Sequence, residues 1–180
     1  MTTFSFGEDV AGVGYKVLDE RVMRGSAGIM LALAIVASIN GFVLKNYWAL
    51  PYISGFLVVN FLIGLLVNPS FSPTVFIARL LVHKQTPLYI GAVQKKFAWT
   101  LGLVLSTTIL FLSLRLLSDA SWFNNVCRLC LICILLLYLE TAFGICVGCK
   151  LYPLAIRLKL MKEPEIRPNC MGDSCRVDVP

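Results

Sequence analysis

Seven cysteines stand in this chain, and none precedes residue 127. Cys146 and Cys149 form a C-x-x-C, Cys170 and Cys175 lie in the segment NCMGDSC, and Cys127, Cys130 and Cys133 recur every third residue. Two cysteines three apart on a helix bring their sulfurs within reach of each other. A thiol in such a pair often has a lowered pKa, which frees the thiolate as a nucleophile. Cys146 and Cys149 therefore point first to thiol–disulfide or sulfur chemistry. Metal binding, or packing of small apolar side chains, are the competing readings of the same pair. Gly148 between them leaves room for another chain or a tail to approach closely.

Cys170 and Cys175 strengthen the redox reading, because packing does not explain thiols in a polar tail. The tail is long enough to fold back, so a membrane pair and a tail pair can exchange disulfides, handing on electrons or sulfur. The same four thiolates, Cys146, Cys149, Cys170 and Cys175, are an alternative zinc site, although C-x2-C…C-x4-C is looser than a usual zinc ribbon. Cys127, Cys130 and Cys133 fall along one helical stripe and read as secondary thiols, with helix packing by small residues as the plainer account. From Cys130 to Cys146 a continuous helix rises about 24 Å, which excludes direct pairing. Electron transfer between the two groups would need a quinone or a moving helix.

Glu140 is the carboxylate that falls well inside an apolar stretch. An ionisable group in lipid is costly and is usually functional or paired. It reads either as a proton acceptor for the thiols, with a raised pKa, or as a hydrogen-bond partner of Asn60 or Asn40. His83 is the single histidine, and no role is assigned to it.

The elements that must carry these residues are apolar helices. Hydrophobic residues make up 58% of the chain and charged residues 14%, against about 25% charged in an ordinary soluble domain. Apolar segments at about 23–44, 48–67, 97–117 and 126–149 each approach the roughly 20 residues that cross the hydrocarbon core. The expected fold is an all-α integral membrane bundle of four transmembrane helices. Between the second and third, Thr74 to Val82 reads as a short interfacial or re-entrant helix, with Arg79, Lys84, Lys95 and Lys96 at the headgroups. Residues 1–21 read as a mobile cytoplasmic arm or a helix on the membrane surface, 22–155 as the membrane domain, and 156–180 as a cysteine-containing cytoplasmic tail. The acidic start MTTFSFGEDV does not look like a cleavable signal.

The formal charge of +6 is not read as nucleic-acid binding, for no recognition motif accompanies it. Thirteen of the sixteen Lys and Arg residues fall on the side that holds both termini and the middle loop; Lys45, Arg115 and Arg128 fall on the other. The positive-inside rule then puts both termini in the cytoplasm of a multi-pass protein.

FGICVGCKLY (143–152) resembles the Phe-x-x-Cys-x-Gly-Cys-x-x-Tyr signature of the bacterial domain of unknown function 4395. VLDERVMRGSAGIML (17–31) is similar to that family's opening, and NPSFSPTVFIARLLV (68–82) and QKKFAWTLG (94–102) to its middle loop and third-helix entry. The resemblance covers about residues 17–155. It implies a membrane-embedded protein of the bacterial inner membrane and a setting of thioredoxin-like and sulfurtransferase partners. Lys150 stands where an acidic residue is frequent in the family. The triplet at 127–133 and the tail pair look like additions that the resemblance does not cover.

The leading expectation is a membrane thiol–disulfide or sulfur-relay protein. The alternatives are a non-catalytic accessory or scaffold subunit of a larger membrane complex, and a small transporter of a sulfur species or metal that oligomerises to enclose a pore.

Overall fold

The computed structural model describes residues 5–10 and 14–158. Along them run β1 (Val17–Asp19), α1 (Glu20–Ser38), α2 (Ala49–Leu66), α3 (Pro73–Val82), β2 (Tyr89–Gly91), α4 (Ala92–Ser118), α5 (Phe123–Phe143) and α6 (Val147–Arg157). A π-helical turn, Ile39–Val43, extends α1. Four stretches are long and apolar enough to cross a membrane: Glu20–Val43, Ala49–Leu66, Ala92–Ser118 and Ala120–Phe143. The chain is an all-α, multi-pass membrane bundle. Its outward faces carry large apolar side chains such as Val43, Tyr52, Leu66 and Phe111. A helix is the element that suits this setting, since it satisfies its own backbone where no water can.

Small residues let the spans close on one another. A Cβ added at Gly102 of α4 would come within 2.7 Å of the Phe61 ring on α2, and Phe61 meets Trp99 edge-on with centroids 5.4 Å apart. The polar centre of the bundle is Asn60, fully buried on α2. Its Oδ1 accepts from the Ser72 hydroxyl (2.7 Å), the Thr74 amide (3.0 Å) and the Thr74 hydroxyl (2.9 Å). The Ser26 hydroxyl on α1 lies 2.7 Å from that of Thr74. One side chain thus pins the start of α3 to two spans. Here the carbonyl oxygen of Asn60 takes the place of the water that these donors would otherwise find.

The middle segment does form a helix, α3, packed on α1 where Gly25 faces Ala78 at a prospective Cβ distance of 3.2 Å. The N-terminal segment departs from the expected arm. Val17–Asp19 pairs antiparallel with Tyr89–Gly91, and Phe6 is buried edge-on against Trp99, 5.9 Å between centroids. Phe6 and Val17 are apolar residues in a mostly polar stretch, and burial decides their position. Asp19 joins the sheet to the bundle: its carboxylate caps α1 through the Arg21 amide (3.0 Å) and accepts from the Leu88 amide (3.2 Å).

Candidate thiol–disulfide site

The fourth span stops at Phe143, short of the expected 149. Gly144 adopts φ +68°, a left-handed conformation that glycine enters without steric cost. The Gly144 amide donates to the Glu140 carbonyl (3.1 Å) and the Ile145 amide to the Leu139 carbonyl (3.0 Å). The first of these is the 5→1 hydrogen bond of a left-handed helix stop. The Arg24 guanidinium donates to the Thr141 carbonyl at 3.2 Å and so covers the same helix end. The chain then turns, and the C-x-x-C opens a new helix instead of closing the old one.

Cys146 is the N-cap of α6, its sulfur accepting from the Cys149 amide at 3.2 Å. Cys146 and Cys149 are joined in a disulfide with their Cα atoms 5.2 Å apart, inside the range that a bridge spans without backbone movement. A thiolate released at Cys146 on reduction faces the N–H groups and positive dipole end of α6, which favour an anion. Gly148 is explained by α4. A Cβ there would lie 2.7 Å from both Cα and Cβ of Ala98. The close neighbour is therefore the chain's own third span. Phe97 of α4 and Tyr152 of α6 continue the contact, ring centroids 5.8 Å apart.

Behind the disulfide lies a cavity of about 160 Å³. Cys146 and Gly148 of α6, Cys133, Leu137 and Glu140 of α5, Trp99 and Ser106 of α4, Phe61 of α2 and Met30 of α1 are among its walls. Glu140 and Cys146 reach one cavity because the turn at Gly144 breaks the helical register between them. Neither expected asparagine partners Glu140. Asn60 is engaged with Ser72 and Thr74, and Asn40 donates to the Val36 carbonyl of its own helix. The partner is Lys95, whose ammonium forms an ion pair with Oε1 of Glu140. Lys95 is only 3% exposed, which corrects its expected place at the headgroups. It sits in the first turn of α4 and faces inward. A buried carboxylate in an apolar bundle calls for a cation, and that is the signal by which Lys95 could have been found.

Cys127, Cys130 and Cys133 are free thiols. Cys130 packs in the core with Leu50, Ile109 and Val126, and Cys133 lies against the same cluster. This agrees with the packing account, except that Cys133 also reaches the cavity behind Cys146. Cys170 and Cys175 lie outside the described residues, and with them half of the alternative zinc site. Among the described residues no three His, Cys, Asp or Glu side chains gather as a metal site. His83 is exposed, its Nδ1 2.8 Å from the Leu80 carbonyl.

No curated protein and no solved structure matches the chain. A model of a domain of unknown function, DUF4395, matches residues 18–157, and the chain belongs to that family.

Proposed function

We propose that this protein is a membrane thiol–disulfide carrier whose working couple is Cys146 and Cys149. The observation that carries the reading is the disulfide at the start of α6, with one of its sulfurs on the wall of a cavity that also holds Glu140. A dithiol there closes by attack of one thiolate on an oxidised partner and release by the other, through a mixed disulfide. Cys146 is the better nucleophile, because it stands at the helix N-terminus. Glu140, which lines the same cavity as Cys146, takes up a thiol proton in this reading, and Lys95 keeps that carboxylate from being a lone charge in an apolar bundle.

In this proposal 22–155 is the membrane domain of a bacterial inner-membrane protein, both termini are cytoplasmic, and 156–180 is a tail in which Cys170 and Cys175 form a second couple. The excess of Lys and Arg on that side supports the orientation. The partners are the lipid bilayer and a thioredoxin-like or sulfurtransferase protein. The test is differential thiol trapping in intact cells, read by mass spectrometry at each cysteine. Partial oxidation of Cys146–Cys149, or an added sulfur on either, is the expected result. Four tail and C-x-x-C thiols that are always reduced and freely alkylated would defeat the proposal and favour an accessory subunit.

A further inference from the structure

We infer that the cavity behind Cys146 binds the ring of a lipid-soluble quinone, which oxidises the Cys146–Cys149 dithiol. The inference rests on the thiol–disulfide reading and names its electron acceptor. Three features of the cavity converge on this ligand class. Its volume, about 160 Å³, is close to the roughly 150 Å³ that takes up one benzene ring in an apolar protein interior. Its walls are mainly apolar, with Met30, Phe61, Trp99 and Leu137 contributed by four different spans. The polar groups on those walls include the Glu140 carboxylate and the Ser106 hydroxyl, and Cys146 supplies a sulfur. A ligand that fills this apolar cavity and reacts with a dithiol beside a carboxylate is apolar and able to accept electrons with protons. A para-quinone meets both demands, whereas an acyl chain meets only the first.

The step balances without another reactant. The two S–H bonds of Cys146 and Cys149 break and one S–S bond forms, releasing two electrons and two protons. The quinone takes both electrons, and its two carbonyl oxygens take both protons to give the hydroquinone. Glu140 carries protons from the Cys146 side of the cavity to the ring.

The full chain in lipid nanodiscs, reduced and freed of reductant under anaerobic conditions, would be mixed with decylubiquinone, whose fully substituted ring bars addition of a thiol. Loss of quinone absorbance and loss of free thiol are read together. The expected result is one quinone consumed per Cys146–Cys149 pair closed, and no consumption by C146S. Leu137→Trp, which fills the cavity, should slow the reaction by at least about tenfold. A thermal melting midpoint and a gel-filtration profile that match those of the unsubstituted protein show that the variant is folded. Oxidation of the wild-type pair no faster than that of a dithiol peptide, or an unchanged rate in a folded L137W, overturns the quinone inference. Either result leaves the thiol reading standing. Failure of the wild-type pair to equilibrate with glutathione overturns both.

Discussion

Gly148 is the position at which the α4–α6 contact can be tested with one methyl group. In Gly148→Ala the new Cβ would start 2.7 Å from the Cα of Ala98. Carbon atoms settle at about 3.5–4.0 Å, so α6 must move outward on the order of 1 Å. The obstacle is helix backbone and a Cβ fixed to it, so no flexible side chain can swing away. Overpacking of this kind costs about 1–3 kcal/mol. Alanine recovers up to about 1 kcal/mol of helix propensity in α6. The balance is a loss on the order of 1 kcal/mol, or roughly a fivefold rise in the fraction of α6 that is undocked. Amide exchange in α6, and alkylation of the reduced thiols at Cys146 and Cys149, should both speed up by about that factor. The disulfide itself should still close, since both cysteines remain within one helical turn. Unchanged exchange and alkylation in G148A would refute the claim that α6 is held by direct contact with Ala98.

Asn60→Leu removes the acceptor shared by Ser72 and Thr74 and leaves their donors buried; it should lower stability in detergent by about 2–4 kcal/mol, read as a melting shift well beyond that of Asn40→Ala, which touches only its own helix. Lys95→Met or Glu140→Gln alone should each cost roughly 3 kcal/mol by stranding a partner, and the double variant clearly less than their sum; additive losses in the double-mutant cycle would show that the pair is not coupled. Asp119, between α4 and α5, is held below the usual carboxylate range by the Ser121 amide and then the Ser121 hydroxyl. Its capping contribution is therefore complete above a pH of about 4 and is lost as pH falls through the lowered value. The loss should show as a lower protection factor against amide exchange at Ser121 in acid, and the Asp119→Asn variant should remove most of that pH dependence.

Much of the architecture was legible because it follows from composition over long windows. Spans near 23–44, 48–67 and 97–117 correspond to Glu20–Val43, Ala49–Leu66 and Ala92–Ser118. The apolar run Thr74 to Val82 did mark a short helix. The errors lay where one residue outweighs its window. Gly144 sits inside an apolar stretch, and hydropathy cannot see that it takes a left-handed turn and ends α5 six residues early. Lys95 was read with the loop charges because it follows a polar segment, yet its place in the first turn of α4 points it inward at Glu140. In the N-terminal stretch, Phe6 and the β1–β2 pairing depend on partners seventy or more residues away in the chain.

The sequence by itself determined a four-span membrane helix bundle, the spacing of Cys146 and Cys149 and the presence of a carboxylate that needed an explanation. Those properties reside in residue type and local spacing, and lipid solvation and short-range geometry act on them directly. Tertiary structure alone decided that Cys146 begins a helix packed on Ala98, that Glu140 answers to Lys95, and that Cys146 and Glu140 border one cavity with Trp99 and Phe61. A cavity and an ion pair between helices depend on the angle and rotation at which spans meet. Those are set by side-chain interdigitation across the bundle, which no single segment of the chain encodes.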